Sequence, residues 1–288
     1  MSLKRSLIML LLIAGFSQQA MAQSADAGIA TTENQIRDRW RHSVMLTYMY
    51  GSGGSSSDST SRDLTYKSLL LSGEVSIFGG TSIWGALPLN QQDGPLGSVS
   101  GIGDLMLIVN QKLFGISSVE VSLGLGARFA TATVNEDRLP QSYQSGLGST
   151  DILIEGDVIS KNINFGMGYQ LAGKRSINSI TRLKRGDELM FRGGYTYRGD
   201  LFDIGGEFIA IKPLQESSVL NPISQGAEFV NIPESDDFQV DLLLKARYHF
   251  SELFGLTGTI SVPLSKRNTN VDGLTRVFAA SFGLSLDL

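Results

Sequence analysis

Charged side chains recur at alternate positions within otherwise apolar stretches of this sequence. The stretch 100–115 reads SGIGDLMLIVNQKLFG, in which Asp104, Asn110 and Lys112 share one parity while the other parity is almost wholly apolar. Because successive side chains of a strand point to opposite faces, one face would be apolar and the other would carry the charges. Charges on such a face can line a wet path that selects solutes, or they can pair into a lattice that fills a narrow barrel.

Fourteen charged residues fall on the predicted polar faces of successive strands, and they are our candidate lumen-lining residues. They are Asp104, Lys112, Glu120, Arg128, Asp151, Glu155, Asp157, Glu188, Arg192, Asp203, Glu207, Asp241, Lys245 and Arg247. Acidic residues outnumber basic ones in this set, so an open pore would mildly prefer cations. The sequence leaves both interpretations open, the solute path and the salt-bridged lattice, and the two can coexist.

Patterns typical of catalysis or metal binding are weak. The only histidines are His42 and His249, and a serine close to His249 at a predicted turn, Ser251, is a poor indicator of a nucleophile–base pair. The chain has no cysteine, which excludes disulfides and thiolate metal sites. Two Arg-Gly-Asp triplets occur, at 185–187 and 198–200. The second lies in a predicted periplasmic turn and is ordinary turn chemistry, whereas the first lies at the end of a predicted external loop and is best explained as a chance match. We therefore predict no enzymatic activity, no cofactor and no metal site.

The first residues, MSLKRSLIMLLLIAGFSQQAMAQ, have the pattern of an export signal. Lys4 and Arg5 precede an apolar segment, 6–16, that is too short to span a bilayer as a helix. Ala-Met-Ala at 20–22 is a small-x-small cleavage site. We predict a signal peptide over 1–22 that is cleaved after Ala22, a short periplasmic segment over 23–41 and a β-barrel over 42–288.

Composition narrows the class of protein further. The 24 basic residues less Lys4 and Arg5 leave 22 against 28 acidic residues, a balance that argues against nucleic acid as a partner. After the predicted signal, no run approaches the ~20 apolar residues that a spanning helix needs, so a helical membrane protein is excluded. The 33 glycines and 7 prolines suit a closely packed, curved sheet.

The alternating pattern recurs in about twelve segments, each long enough for a tilted strand to cross a bilayer. The predicted connections alternate in length: they are short at 79–80, 114–117, 160–161, 198–200 and 251–252, and long at 51–63, 90–99, 131–148, 172–185, 211–237 and 265–273. We therefore predict an all-β fold, a transmembrane up-and-down antiparallel β-barrel of about 12 strands with short periplasmic turns and longer extracellular loops. Since hydrocarbon tolerates no open sheet edge, residues 43–50 should pair with residues 276–288.

Two further patterns agree with a membrane barrel. Aromatic residues fall into two predicted interfacial girdles. The outer girdle contains Tyr48, Tyr50, Phe129, Phe191, Phe238 and Phe278, and the inner girdle contains Tyr195, Tyr197, Phe202, Tyr248, Phe250 and Phe254. The last eight residues, SFGLSLDL, resemble the C-terminal signal that barrel-assembly machinery reads, through Ser281, Gly283, Leu286 and Leu288, although the usual final residue is aromatic.

The segment SGIGDLMLIVNQKL resembles the recurrent Gly-x-Gly-Asp strand start of a bacterial outer-membrane family named for the meta-pathway of phenol degradation, whose members are described as transporters. The match is carried by Ser100, Gly101, Gly103 and Asp104. A looser second copy spans 148–151, Gly-Ser-Thr-Asp, and a Leu-Pro pair at 139–140 lies where such proteins often carry one. The resemblance implies an outer-membrane barrel that passes small, hydrophobic or aromatic molecules.

The leading functional prediction is a channel or transporter of the bacterial outer membrane through which small molecules pass passively along a charge-lined lumen. Its expected partners are outer-membrane lipid, the barrel-assembly machinery and a small-molecule solute, and not nucleic acid. A second hypothesis is a non-conducting barrel whose long loops bind a partner. A third, which the sparse histidines disfavour, is an outer-membrane enzyme.

Overall fold

The computed structural model describes residues 42–54, 64–116, 119–221, 228–265 and 275–288, and the predicted segments 1–22 and 23–41 lie outside this part of the chain. Its strands are β1 (His42–Gly54), β2 (Leu64–Ser76), β3 (Thr81–Gly94), β4 (Gly97–Ile102), β5 (Leu105–Ile116), β6 (Val119–Phe129), β7 (Asp151–Ser160), β8 (Ile163–Leu171), β9 (Glu188–Arg198), β10 (Phe202–Pro213), β11 (Ser218–Leu220), β12 (Phe229–Asn231), β13 (Gln239–His249), β14 (Phe254–Ser265) and β15 (Thr275–Asp287). None of the helices in the described residues has the length and apolar character that crossing a membrane requires.

Twelve of these strands, β1–β3, β5–β10 and β13–β15, form one closed antiparallel barrel. Closure is visible at β1, which pairs with β2 on one side and with β15 on the other. Ser43 lies opposite Asp287 and Tyr50 lies opposite Ala280, so the predicted pairing of the first and last strands is confirmed. Of the other three strands, β4 pairs with β3 in the same sheet, and β11 and β12 form a separate two-stranded hairpin.

Side-chain exposure along the wall has the opposite sense to that of a soluble barrel. In β6, Leu123 and Leu125 are half or more exposed, whereas Glu120, Ser122 and Arg128 are buried. Period-two alternation therefore places the apolar side chains outside and the polar ones inside. An apolar exterior is stable only against lipid, and it gives the wall the character of a membrane barrel.

The two ends of the barrel differ. At the end that we call the turn end, His42 and Leu288 exchange backbone hydrogen bonds, and the strands are joined by the connections 77–80, 161–162, 199–201 and 250–253. At the other end, which we call the mouth, the connections include 130–150, 172–187 and 214–238. The predicted long loop at 90–99 is wrong: β3 continues to Gly94 and pairs with β4 from Gly97, because the polar residues there alternate as strand residues do.

All twelve aromatic residues that were assigned to the two girdles are exposed. The outward rings also contact one another near the turn end, where the centroid of Tyr248 lies 5.8 Å from that of Phe202 and 5.0 Å from that of Phe250. Amphipathic and aromatic rings at the two rims are typical of barrels that span a membrane.

The interior contains an apolar layer that the sequence analysis did not anticipate. Its members are buried side chains on inward positions of neighbouring strands, namely Met49, Tyr66, Leu70, Trp84, Ala86, Met106, Ile108, Leu153 and Ala279. The ring of Tyr66 lies directly over Gly51, where any side chain would overlap it. The interior is therefore a layered packing of charged and apolar groups rather than a uniform charged surface.

Candidate functional site

The fourteen candidate residues lie among the inward side chains. Thirteen of them are buried, and Lys112, near the turn end, keeps a third of its side chain exposed. The outward neighbours in the same strands are exposed leucines, isoleucines and valines. Because buried charges are costly unless they are paired, the partners of these side chains decide how the interior is organised.

Most of the candidate charges have a partner of opposite sign inside the barrel. The ion pairs are Arg192 with Asp157, Lys245 with Glu207 at 2.8 Å, Arg247 with Asp287 at 3.0 Å and Lys112 with Glu120 at 2.7 Å. The ring of His249 lies 2.8 Å from the Asp203 carboxylate. Glycines on neighbouring strands make room for the long side chains: a Cβ atom on Gly166 would overlap both Arg192 and Asp157. A salt-bridged lattice is thus a real feature of this interior.

Asp151 is the centre of a larger network at the mouth. Its carboxylate forms ion pairs with Arg128 and Arg185 and accepts a hydrogen bond from the side-chain amide of Gln170 at 3.1 Å. It also accepts one from the backbone N–H of Gly173 at 2.8 Å. Arg185 was not among the candidates, because it follows a loop segment without strand periodicity.

The connection 130–150, which we call the mouth loop, is held against the barrel wall by Asp104. The Asp104 carboxylate accepts hydrogen bonds from the backbone N–H groups of Leu147 at 2.7 Å and Ala132 at 3.2 Å. It sits in the break between β4 and β5, where residues 103–104 leave the strand. The wall and the loop are therefore joined at the point where the Gly-x-Gly-Asp motif occurs.

The two glycines of that motif form the seat on which the mouth loop rests. A Cβ atom on Gly101 would lie 3.0 Å from the hydroxyl of Ser145, and one on Gly103 would lie 2.7 Å from the ring of Pro88. Asn90 completes the seat, because its side-chain amide donates to the carbonyl of Ser145 at 2.7 Å. Gly103 is needed because a side chain there would overlap Pro88 and Asn90, whereas a Cβ atom on Gly101 would only be tight against Ser145.

The same device recurs twice at the next loop, 172–187. Asp151, in the looser copy of the motif, binds the N–H of Gly173, and Asp187 binds the N–H of Ala172 at 2.9 Å and the hydroxyl of Tyr169 at 2.9 Å. Asp187 belongs to the first Arg-Gly-Asp triplet, whose Arg185 is buried against Asp151. This triplet is therefore an anchor for a loop and not a sequence presented to solvent.

The mouth loop folds over the barrel with a core of its own. Val134, Tyr143 and Leu147 are buried, and Tyr143 packs with Leu64 and Val99 of the wall. It also binds the connection 172–187 through polar side chains. The amide of Asn178 donates to the carbonyl of Val134 at 2.6 Å, and the hydroxyl of Ser176 donates to Gln141 at 2.6 Å. The loops thus cover the mouth as one connected layer.

The hairpin of β11 and β12 joins this layer through Arg175. The Arg175 guanidinium lies 3.7 Å from the ring centroid of Phe229 and donates to the carbonyls of Arg182 and Ser218. Partial burial, together with the nearby charge of Arg182, lowers the pKa of Arg175 from its usual value. The contacts tie the connections 172–187 and 214–238 together.

The residues considered for catalysis have structural contacts. The ring of His249 binds Asp203, and the hydroxyl of Ser251 accepts hydrogen bonds from the N–H groups of Leu253 and Phe254, which fixes the turn 250–253. No group of three or more His, Asp or Glu side chains in the described ranges is arranged to hold a metal ion.

Comparisons with known proteins show which solved structures have a similar fold. No family model matches the chain, and no curated protein matches its sequence. Among solved structures, an outer-membrane channel described as COG4313, from Pseudomonas putida F1, superposes with a TM-score of 0.65 at 11% identity, over 90% of this chain and 99% of that one. The NanC porin superposes with a TM-score of 0.50 at 13% identity, over 86% of this chain and all of the porin chain (100%). The chain is thus a closed, 12-stranded barrel of the outer-membrane type, with the fold that such channels and porins have.

Proposed function

We propose that this protein is a narrow channel of the bacterial outer membrane that lets small molecules pass passively through its barrel. The observation that carries the proposal is the inverted side-chain pattern of a closed barrel, with apolar groups outside and charged groups inside. A wall of this kind is suited to lipid on its outer face and to polar solutes within it.

A second observation supports a hydrated interior. Several buried polar atoms have no hydrogen-bond partner among the described protein groups, including both polar atoms of the Gln92 amide and the hydroxyls of Ser68 and Thr259. Buried polar groups are costly unless they are hydrogen-bonded, and water inside the barrel would satisfy them. A chain of such groups offers a polar route between the two ends.

The size of the route should be small. The inward side chains bury one another, and the mouth loop narrows the entrance at the seat formed by Gly101, Gly103 and Asp104. We therefore expect passage of small solutes at low conductance rather than the bulk flow of a wide porin. The solute class is proposed from the resemblance of the Gly-x-Gly-Asp segments to the phenol meta-pathway family, and it is that of hydrophobic or aromatic small molecules.

Export and assembly form part of the same proposal. The signal peptide at 1–22, the periplasmic segment at 23–41 and recognition of the C-terminal strand by barrel-assembly machinery would bring the chain to the outer membrane. In β15, the outward side chains of Phe282 and Leu284 are exposed, as a lipid-facing last strand requires, and Leu288, which follows the strand, is exposed as well.

Single-channel recording tests the proposal. Purified protein in planar bilayers should produce discrete current steps, and liposomes that contain it should admit small aromatic and sugar solutes faster than empty liposomes. A protein that is folded and inserted, and yet gives neither current nor solute entry, would contradict the proposal.

A second candidate function rests on the dense packing of the interior. Because the inward side chains are almost all buried, the barrel can also be a sealed support whose connected loop layer binds a partner. Intact liposomes separate the two functions, since a sealed barrel leaves solute entry at the background rate while its loops still capture a partner.

A further inference from the structure

The middle of the interior contains a carboxylate, that of Glu155, for which the described residues supply no hydrogen-bond partner. Glu155 on β7 is 3% exposed, and neither of its carboxylate oxygens has a hydrogen-bond partner among the described residues. Glu74 on β2 is 9% exposed, its carboxyl is hydrogen-bonded to Ser82, and its charge acts on Glu155. Unlike the paired candidates, neither residue forms an ion pair within the described part of the chain.

A third polar side chain, which carries no charge, points to the same place. Asn110 on β5 is 2% exposed, and its amide nitrogen has no hydrogen-bond partner among the described residues. In the strand register, Gly124 lies between Asn110 and Glu155. A Cβ atom on Gly124 would lie 2.5 Å from Asn110 Oδ1 and 2.6 Å from Glu155 Oε1, so both oxygens lie over the same backbone position.

The positive charges nearby are already engaged. Arg192 attracts Glu155, but its guanidinium binds Asp157, which repels Glu155. Lys245 binds Glu207 on the far side of Arg192. Among the described residues, Glu74 and Glu155 therefore have no countercharge of their own.

The site has an apolar side as well. Trp84 lies directly opposite Glu74 in the register of β2 and β3, a spacing at which facing side chains touch. The Trp84 ring belongs to the buried apolar layer together with Ile108 and Leu153. Low polarity beside the carboxylates strengthens their electrostatic attraction for a positive charge.

We propose that Glu155, Glu74 and Asn110 form a site that binds small cations and selects them over anions as they pass through the barrel. The inference rests on the proposed channel function and names the charge class of the permeating ion. An isolated buried carboxylate is costly, and a passing cation reduces that cost. Carboxylate and amide oxygens are also the ligands that alkali and alkaline-earth cations prefer.

Reversal potentials across a KCl gradient test the selectivity. The unmodified protein should prefer K⁺ to Cl⁻. Glu155→Gln and Glu74→Gln should each reduce that preference by about threefold or more, because a unit charge leaves the narrow part of the route. Glu155→Asp keeps the charge and should retain the preference. Glu252→Gln removes the same charge from an exposed turn and should change nothing. An unchanged preference in Glu155→Gln would overturn the inference.

Tryptophan fluorescence tests cation binding without any current. The chain has two tryptophans, so Trp40→Phe leaves Trp84 as the only reporter. In detergent, Tl⁺ should quench Trp84 more strongly than iodide does, and Glu155→Gln in this background should weaken the Tl⁺ effect. Equal quenching in both backgrounds would overturn the inference.

The two measurements separate this inference from the proposed function. Selective Tl⁺ quenching without current in bilayers would support the site and contradict the channel. Current with a charge preference that neither Glu155→Gln nor Glu74→Gln alters would support the channel and contradict the site.

Discussion

The Asp104 carboxylate holds the backbone N–H of Leu147 at 2.7 Å, across 43 positions of sequence. This contact joins the start of β5 to the end of the mouth loop. It gives the Gly-x-Gly-Asp motif a physical role, because the glycines form the seat and the aspartate binds the loop to it. The barrel wall and the mouth loop are thus connected through this motif, and mutations can test the wall and the loop separately.

Removal of the Asp104 carboxylate should release the mouth loop while the barrel stays folded. Asp104→Ala removes two charge-assisted hydrogen bonds, each worth about 1.5–3 kcal/mol, and the freed N–H groups can bind water once the loop moves. We expect faster hydrogen exchange at Ala132 and Leu147 and faster trypsin cleavage after the exposed Arg138. The control Asp93→Ala, which removes a partly exposed carboxylate from β3, should leave both rates as they are.

A disulfide between the seat and the mouth loop should lock the entrance. A Cβ atom on Gly101 would lie 3.4 Å from Ser145 Cβ, close to the separation of bridged cysteines, and the natural chain has no cysteine to interfere. In Gly101→Cys/Ser145→Cys, oxidation should lower single-channel conductance and a reductant should restore it. The single variant Gly101→Cys should show no redox response. Equal currents in the oxidised and reduced double variant would mean that the mouth loop does not control passage.

Asp151 should contribute more to stability than an exposed carboxylate. Asp151→Asn leaves Arg128 and Arg185 buried without their shared countercharge, which should cost about 3–5 kcal/mol in the free energy of unfolding. Asp200→Asn, at an exposed turn, should change it by less than about 0.5 kcal/mol. Urea unfolding in lipid vesicles measures both values, and equal stabilities would show that the network is dispensable.

The interior glycines should tolerate no side chain where charged groups lie over them. In Gly166→Ala the new methyl group would overlap Arg192 and Asp157, and such overpacking costs about 1–3 kcal/mol. Gly193→Ala is the matched control, because its new Cβ atom would meet only Phe165, at an ordinary 3.8 Å. Measuring the free energy of unfolding of both variants checks this packing. Equal values would contradict the prediction that the space over Gly166 is filled.

The orientation of the wall predicts the response to a charge on its outer face. Leu125 is 61% exposed in the middle of β6, so Leu125→Arg should destabilise the barrel in a bilayer by about 2–4 kcal/mol. Leu125→Ala should cost clearly less, since it only shortens an apolar contact with lipid. If Leu125→Arg folded into vesicles as stably as Leu125→Ala, the outer face would not be in contact with hydrocarbon.

The sequence by itself determined the fold class, the inward and outward sides and the closure of the barrel. Each follows from a local rule: strand side chains alternate with a period of two, and hydrocarbon tolerates no unpaired edge. The pattern that separates Leu123 from Ser122 can therefore be read without knowing any distant contact.

The tertiary structure alone decided which charges pair, where the mouth loop rests and that Glu155 has no hydrogen-bond partner in the described part of the chain. Arg185 meets Asp151 across 34 positions, and Glu155 meets Asn110 only because the register brings both beside Gly124. The second proximity depends on the stagger of the strands, and the first contact depends on the fold of a loop without periodicity. No local pattern in the chain encodes either of them.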